Sequence, residues 1–520
     1  MSKRRPIARA FFLVSLAVLL GSIFRSARRQ QYTCLGVPFL AASPAEESYE
    51  YYDYSQALFF SGEKAPMDVE SSTIYISQSI SEGTSFTDLQ GRLTCSFPGT
   101  RMYFLEDPLF EDLASAAAEN HPFALLVRSG GSFMRYRVIF TTLPVFSIED
   151  PDHTELQEKG VYAYGTFRAW TPNDPELEGY TIKSTPVRWN LRGGTATVMP
   201  KKSIKLTLQK SDGTKRNMEL LGMGSDDDWI LNPMSLDDFK VKENLLMTLW
   251  NELAQENDWD VRMSTGNYCE IVMNGRYRGL YLLQRRIDRK YLNLEPDQIL
   301  LKGEGGSMSR LNKPEGYSII YSKLTDEQTY DLWLDLQKNR FGQSVNLRNY
   351  ADVSLFVQFG YMQDNSLFRN IFYLLSPRDG DYELQLILWD TDMSMGLVKD
   401  FAYNYEESIH TTLNRADYEK VQAAHSDLDQ VVAARWFQLR QSVFAEEHLL
   451  STLEGLSDQI AASGAMERDY DRWGLYVSSP RPLEDFIRDR LEFLDGYYAQ
   501  LLAEKGRCRP DRQRDGLLGR

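Results

Sequence analysis

The residues with the clearest capacity for chemistry lie in the last third of the 520-residue chain. Asp364 is followed six residues later by Asn370, and an apolar strand pattern then leads into Asp390 and Asp392. Carboxylates at the end of an apolar strand are costly to bury unless a cation or a hydrogen-bond donor compensates them. Carboxylate and amide oxygens are also the ligands that Mg²⁺ prefers. The pattern therefore predicts a metal site formed by Asp390 and Asn370, with Asp392 either completing the ligand shell or orienting it.

The two strands that carry Asn370 and Asp390 are separated by the turn pair Asp379-Gly380, so they are expected to form an antiparallel hairpin. Such pairing brings Asn370 close to Asp390 at one end of the hairpin. Asp392 is expected on the same face as Asp390 if the extended pattern continues. The alternatives are a surface turn with solvated acids and a hydrolase that uses Asp390 and Asp392 as paired acids.

A second group of candidate residues lies in the middle of the chain. Strand alternation places Lys202 on the apolar face of a predicted strand, with Lys201 and Lys205 as the competing lysines. Glu243 lies on the buried face of a predicted helix. Two lone buried charges would each be costly, so Lys202 and Glu243 are expected to form an ion pair.

The order of these parts along the chain is informative. A glycine loop (Arg192, Gly193, Gly194) precedes the strand lysine and the helix glutamate, and the acidic group follows a hairpin and a second helix. Protein kinases use the same order: backbone amides and a lysine hold phosphates, an aspartate orients the attacking hydroxyl, and Asn and Asp hold Mg²⁺. The kinase sequences GxGxxG, His-Arg-Asp and Asp-Phe-Gly are absent. The residues alone indicate a Mg²⁺-dependent phosphoryl-transfer fold.

Two local elements that position these residues can be predicted. Asn274-Gly275 separates two apolar strand patterns and supplies the two positive φ values of a type I′ turn, which predicts a hairpin. Helical spacing of apolar residues predicts a helix over Asp237–Gln255, capped at its start by Asp237 or Asp238.

At larger scale the chain divides into regions of different pattern. Residues 34–142 alternate short apolar strands with turns and predict a small β-rich domain. Strands dominate from residue 143 to about 300, and helical periodicity takes over from Asn349 onward, so residues 143–502 are expected to form an α+β domain. Residues 503–520 are expected to form a basic tail.

Composition excludes several classes of function. The chain has 58 Lys+Arg and 73 Asp+Glu, and its net charge of −15 repels phosphate backbones, so no nucleic-acid partner is expected. The five histidines are scattered and do not form the clusters that zinc and iron sites use. The four cysteines lack CxxC spacing. A single disulfide stays open, and Cys269, in an apolar strand pattern, is expected to be a buried thiol.

Residues 1–30 have the layout of a targeting segment, in which basic residues precede an uncharged apolar run from Ala10 to Phe24. The run is shorter than the roughly 20 residues of a spanning helix, yet three arginines follow where a small-residue cleavage site should lie. A cleaved signal peptide and an uncleaved membrane anchor are both open, and a buried amphipathic helix is the structural alternative. Export to the cell envelope is the expectation.

Several segments of the chain together match the pattern of a known family. They are Arg192–Ala196, Pro200–Leu206, Asp228–Asn232, Val272–Leu283, Leu300–Gly303, Asp364, Asn370–Leu374, Trp389–Gly396, Arg435-Trp436 and Arg488–Leu494. With these segments the chain resembles the CotH kinase family, which is named for a bacterial spore coat protein and regarded as a group of atypical protein kinases. The resemblance covers about Leu143 to Leu502. It departs from the family pattern at Gln284, where a glutamate is expected, and at Lys242, where arginine is common.

The resemblance implies an atypical protein-kinase-like domain, with a β-rich N-lobe and a helical C-lobe, that binds ATP and Mg²⁺. It implies phosphorylation of serines or threonines in envelope or spore-coat proteins, with Asp364 as the base-like residue and Asp390 as the metal ligand. A non-catalytic surface protein that keeps the fold for adhesion or assembly is the alternative, because an exported domain meets little ATP. The remaining predicted site residues are Asn370 and Asp392 at the metal and Lys202, Glu243, Arg192, Gly193 and Gly194 at the nucleotide.

Overall fold

The computed structural model describes most of the chain. The described residues are 33–41, 50–107, 112–154, 158–172, 181–194, 199–257, 259–304, 316–362, 364–365, 369–398, 402–405, 415–474 and 481–507. The predicted targeting segment and residues 508–520 of the predicted tail lie outside them. Among the described residues, no helix combines the length and the apolar character needed to cross a membrane.

The described part of residues 33–141 forms a β-rich unit with one α-helix and its own apolar core. Its elements are β1 (Thr33–Cys34), β2 (Val37–Leu40), β3 (Glu50–Tyr51), β4 (Leu58–Phe60), β5 (Glu63–Lys64), β6 (Met67–Asp68), β7 (Thr73–Ser77), β8 (Leu93–Cys95), β9 (Thr100–Leu105), α1 (Leu113–Ala118), β10 (Phe123–Ser129) and β11 (Ser132–Thr141). Seven of these strands run in the order β1-β2-β9-β10-β11-β7-β6, with β3 also paired to β11, and β5-β4-β8 form a second sheet. The Asp112 carboxylate caps α1 by accepting from two backbone N–H groups.

A closed barrel follows. Its strands are β12 (Val145–Glu149), β13 (Ala163–Thr171), β14 (Thr181–Leu191), β15 (Ile204–Leu208), β18 (Asp228–Asn232), β19 (Gly266–Met273) and β20 (Arg276–Arg285), while β16 (Met218–Glu219) and β17 (Ser225–Asp226) form a separate hairpin. The order is β12-β13-β14-β15-β18-β20-β19, and parallel pairing of β19 with β12 closes the barrel. Alternating residues such as Leu206 and Leu208 fill the interior of the barrel. Because the strand order is closed, no barrel strand is left as an unpaired edge.

Two sequence predictions in this region need correction, and one is confirmed. The β19–β20 hairpin forms around Asn274 and Gly275, with φ of 50° and 68°, as predicted. Helix α2 begins at Lys242 and ends at Glu256, because the Asp237 carboxylate accepts from the N–H of Lys242 in a turn before the helix. Strand β15 begins at Ile204, so Lys202 precedes the strand and has no place on its apolar face.

The last part of the chain combines a four-stranded sheet with helices. The sheet has the order β22-β21-β23-β24, and its strands are β21 (Ile299–Glu304), β22 (Tyr317–Tyr321), β23 (Arg369–Arg378) and β24 (Asp381–Leu388). The helices are α3 (Arg289–Leu292), α4 (Asp326–Asp335), a π-helical turn (Leu336–Arg340), α5 (Phe341–Ser344), α6 (Leu347–Gly360), α7 (Arg415–Ala424), α8 (Leu428–Leu439), α9 (Glu446–Ala461), α10 (Ala465–Trp473) and α11 (Leu483–Arg507). Helices α2 and α6 are buried along most of their length, and their side chains join the sheet in one large core.

Helix α10 connects the barrel with the N-terminal unit through buried polar contacts. The Arg468 guanidinium pairs with Glu270 of β19 at 2.6 Å and donates to Asn120 of the N-terminal unit at 2.7 Å. The ring of Tyr75 stacks on Tyr277 of β20 with centroids 4.4 Å apart. Cys269 is a fully buried free thiol, as predicted, and the described residues contain no disulfide.

Candidate active site

A cleft of about 560 Å³ lies between the barrel and the four-stranded sheet. Connections between barrel strands line one side, and the sheet with the loop after β24 lines the other. The barrel side contributes Lys159, Arg192, Gly193, Gly194, Met199, Ser203, Asn232, Pro233, Ser235 and Leu236. The sheet side contributes Lys302, Glu304, Asp364, Asn370, Trp389, Asp390, Asp392 and Met393.

The β23–β24 hairpin brings Asn370 and Asp390 to the same end, as the sequence predicted. Its register pairs Ile371 with Leu388, and the Trp389 N–H donates to the Asn370 carbonyl at 2.9 Å. The Asn370 amide then donates to the backbone carbonyl of Asp390 at 3.4 Å. Both side chains line the cleft. The hairpin therefore presents an amide and a carboxylate to the same space.

The extended pattern does not continue beyond β24, which corrects the expectation for Asp392. Asp390 adopts φ of 55°, in the left-handed region, so the alternation of faces ends there. Asp392 still lines the cleft, because the loop folds back along it. Met395 (φ 51°) and Gly396 (φ 91°) complete the turn. Loop geometry brings the two carboxylates into one cleft, and strand periodicity cannot predict it.

Buried acids and bases share this cleft. Burial raises the pKa of Asp390, the nearby Asp364 raises it further, and the positive charges of Arg192 and Lys302 oppose the rise. Burial also raises the pKa of Asp392 well above its ordinary value, with Asp390 and Glu243 adding to the rise. The carboxylates are thus held close together in a site that disfavours their combined negative charge.

Glu243 is buried beside this group, and its partners differ from those predicted. Its carboxylate accepts from the Asn232 amide at 2.6 Å and from the Gln284 amide at 2.9 Å. Burial and the charge of Asp390 raise its pKa to about 7, against the opposing influence of Arg192. Lys202 is not among its partners, so the predicted Lys202–Glu243 ion pair is wrong.

The buried lysine of this segment is Lys201. Its ammonium pairs with Asp469 of α10 at 2.6 Å, donates to the Leu280 carbonyl and lies over the Tyr281 ring. Lys202 is half-buried and does not line the cleft. The sequence predicted Lys202 as the buried lysine, one residue away from the lysine that is buried. The chain is irregular before β15, so the two-residue alternation of a strand does not apply there.

Among the described residues, the cations that line the cleft are Arg192, Lys302 and Lys159. Arg192, a predicted site residue, lies over the Trp389 ring at 5.5 Å, and the charges of Asp390 and Glu243 oppose the lowering of its pKa by burial. Sequence reasoning assigned no role to Lys302. A lone lysine in the apolar strand Ile299–Glu304 was the signal that could have identified it.

Asp364 lines the cleft next to a buried asparagine that braces the hairpin end. The Asn365 amide donates to the carbonyls of Asn370 and Trp389, at 3.0 and 2.9 Å. Its own Oδ1 is buried and has no hydrogen-bond partner among the described residues. Asn365 therefore couples the position of Asp364 to that of Asn370 and Asp390. The sequence prediction did not include it.

The oxygen ligands in the cleft determine which kind of cation could bind there. Among the described residues, no three His, Cys, Asp or Glu side chains are grouped so that they could hold a metal ion on their own. Asp390 and Asn370 together offer carboxylate, amide and carbonyl oxygens. A cation that takes few protein ligands and completes its shell with water or ligand oxygens suits such a set.

A family model described as CotH kinase protein matches residues 190–494. The chain belongs to the CotH kinase protein family. The matched CotH region begins in β14 and includes both sides of the cleft apart from Lys159. A search of curated proteins gave no significant match.

Proposed function

We propose that this CotH-family protein catalyses Mg²⁺-dependent transfer of the γ-phosphoryl group of ATP to serine or threonine hydroxyls of envelope or spore-coat proteins. The observation that carries the proposal is the composition of one cleft, in which Arg192 and Lys302 face Asp390, Asn370 and Asp364. Phosphoryl transfer is catalysed mainly by positioning and by charge stabilisation, so a cleft with both signs of charge suits it.

The cations would hold the nucleotide phosphates. The positive charges of Arg192 and Lys302 both act on Asp390, and charged donors bind phosphate oxygens strongly. Gly193 and Gly194 line the same cleft, and Gly193 adopts φ of 92°, which favours glycine. Backbone at this position can approach phosphates closely. Lys302 thus takes the role that the sequence assigned to Lys202.

The acidic group would hold Mg²⁺. Asp390, with Asn370 and Asp392, would supply hard oxygen ligands, and the raised pKa values of both aspartates indicate that the nearby cations do not offset their burial and their mutual repulsion. Mg²⁺ held by these residues would supply positive charge beside the phosphates. Because the described side chains offer no complete ligand set, ATP oxygens and water would supply the remaining ligands.

Asp364 would orient the substrate hydroxyl and accept its proton. The hydroxyl oxygen forms a bond to the γ-phosphorus, the bond from that phosphorus to the β–γ bridging oxygen breaks, and ADP leaves. Asn365 fixes Asp364 relative to the hairpin that carries Asn370 and Asp390. Glu243 would act at a distance, through the charges of Arg192 and Asp390.

We also propose a domain division and a location. The barrel corresponds to the β-rich lobe of a kinase-like domain spanning residues 143–502, and the sheet and helices beyond it correspond to the helical lobe. Residues 34–142 form a separate β-rich domain, and residues 503–520 follow as a basic segment whose first five residues continue α11. The basic-apolar pattern of residues 1–30 supports export, as a cleaved signal or a membrane anchor, to the cell envelope or the spore surface.

Radiolabel transfer from γ-labelled ATP tests the activity. The full chain, Asp390→Asn and Asp364→Ala are incubated with Mg²⁺, with a serine-rich protein and with no added substrate. We expect label on protein with the wild type and a loss of at least about a hundredfold with each variant, as for removal of a group that stabilises the transition state. Equal incorporation by all three folded proteins would exclude these roles.

Thermal unfolding with ATP, with and without Mg²⁺, separates catalysis from binding. Specific binding to the native state raises the melting temperature. No incorporation and no thermal shift would favour the alternative, a non-catalytic surface protein that keeps the fold for adhesion or assembly.

A further inference from the structure

Lys242 lies where a lysine is electrostatically unfavourable. It is the first residue of α2, at the positive end of the helix dipole, and its side chain is fully buried. The described residues include no ion pair to its ammonium within 4.0 Å. Burial accordingly lowers its pKa, against the charges of Asp237, Asp392 and Asp238. A buried cation without a direct counter-ion lowers the stability of the fold. Its presence at this position therefore calls for a role other than stabilisation.

The contacts of the Lys242 ammonium connect two parts of the structure. Nζ donates to the backbone carbonyls of Asp392 at 3.2 Å and Ser394 at 3.4 Å, and it lies 5.6 Å from the centre of the Tyr403 ring. Both hydrogen bonds go to the loop that follows β24. Lys242 thus connects the start of α2 to the loop that begins with Asp390.

Among the described residues outside that loop, Lys242 is the side chain that hydrogen-bonds the backbone of its residues 391–396. Asp390 and Met395 both adopt left-handed backbone conformations, which are strained for residues other than glycine. The Thr391 and Ser394 hydroxyls are buried and have no hydrogen-bond partner among the described residues. Backbone bonds hold its two ends, where the Trp389 N–H donates to the Asn370 carbonyl and the Met395 N–H to the Gly360 carbonyl, and within the loop the Ser394 N–H donates to the Asp392 carbonyl. Between those ends, the ammonium bonds two of its carbonyls.

We propose that Lys242 is a positioning residue that fixes the Asp390 loop in the conformation that binds Mg²⁺. Its role toward the metal rests on the proposed function, whereas its role in ordering the loop does not. Lys242 does not touch substrate or metal in this scheme. It acts through the backbone of residues 392 and 394.

Two variants and three readouts test the inference in the full chain. Lys242→Met removes the charge and keeps the volume, and Lys242→Arg keeps charged donors. The readouts are Mn²⁺ affinity in the presence of ATP by electron paramagnetic resonance, the Mg²⁺ dependence of phosphoryl transfer, and the melting temperature without metal. Lys338→Met is the matched control, because Lys338 is exposed and does not line the cleft.

We expect Lys242→Met to weaken Mn²⁺ binding and to raise the half-saturating Mg²⁺ concentration, each at least tenfold. Its melting temperature without metal should be equal to or higher than that of the wild type, because the buried charge is gone. Lys242→Arg should retain most of both affinities. A residue with a merely structural role would instead lower the melting temperature and leave the Mg²⁺ dependence unchanged, and that result would overturn the proposal.

Hydrogen exchange of residues 389–398 tests the loop without metal or activity. Lys242→Met should speed exchange in this segment at least tenfold, with no change in the β19–β20 hairpin. If the wild type binds no Mn²⁺ with ATP, the proposed function fails, while the exchange result still decides the ordering role. Unchanged exchange in Lys242→Met would show that the lysine does not fix the loop.

Discussion

The side-chain amide of Asn370 donates to the backbone carbonyl of Asp390 over 3.4 Å, across the open end of one hairpin. Both residues adopt left-handed backbone conformations, with φ of 57° and 55°. The hydrogen-bonded pairing of β23 with β24 therefore ends at facing positions on the two strands. Both residues line the cleft. The hairpin and this hydrogen bond thus hold together two oxygen-bearing residues that are twenty positions apart in sequence.

Asp390→Asn should stabilise the metal-free protein, while it abolishes phosphoryl transfer. The reason is that burial and the neighbouring charge of Asp364 disfavour the ionised carboxylate. Urea unfolding in a metal chelator measures the stability. A large loss of stability in this variant would show that the carboxylate has a structural role and would contradict the prediction.

Lys302→Met should raise KM for ATP about tenfold or more and change kcat less. A charged hydrogen bond to a phosphate contributes about 1.5–3 kcal/mol, and the Lys302 ammonium also pairs with Glu304 at 3.2 Å, so the side chain is already directed along the cleft. Initial rates over a range of ATP concentrations provide the measurement, with Lys338→Met as the control. An unchanged KM in Lys302→Met would remove this lysine from the phosphate site.

Glu243 should make the metal-free protein less stable as pH rises. Its folded-state pKa of about 7 lies above the ordinary 4.5, so between these values the native protein holds a proton that the unfolded chain has released. The stabilisation is fully present below pH 4.5 and is lost as pH rises through about 7.

Urea unfolding of the wild type and of Glu243→Gln, from pH 5 to pH 8, measures this effect. The wild type should lose stability relative to the variant over that range, and Glu447→Gln, at an exposed position, should follow the wild type. The amide also changes the hydrogen bonds to Asn232 and Gln284, which adds an offset that does not depend on pH. A constant difference across the range would contradict the prediction.

Gly279→Ala should destabilise the fold by about 3 kcal/mol or more. Gly279 has φ of 91°, and an added Cβ would lie 2.1 Å from Oδ1 of Asp469, which pairs with Lys201. Chemical denaturation provides the measurement. Gly455→Ala is the control, because this glycine lies in α9 with open space around it, and the change should stabilise the protein by about 0.5–1 kcal/mol. Equal effects of the two changes would be inconsistent with close packing at Gly279.

Much of the local structure followed from the sequence. The Asn274-Gly275 and Asp379-Gly380 pairs predicted two hairpins, since these residues supply the positive φ values that tight turns need. The second hairpin also predicted that Asn370 would lie near Asp390. These predictions succeeded because the information is local, within about twenty residues.

The failures arose where long-range packing decides the result. Lys202 was assigned to a strand face, but the strand starts later and Lys201 is buried against Asp469, more than 260 positions away. Lys302 had no local signal beyond its apolar neighbours. The partners of Glu243 come from two other strands. No repeat in the sequence specifies which distant elements meet.

The closed barrel has a consequence for work with fragments of this protein. The family match begins at residue 190, inside β14 (Thr181–Leu191), so β12, β13 and nearly all of β14 precede it. A fragment of residues 190–494 would lose three of the seven barrel strands and leave β15 and β19 with exposed, unpaired backbone. Such edges recruit strands from other chains, so the fragment should aggregate. The region recognised by sequence is thus smaller than the unit that can fold.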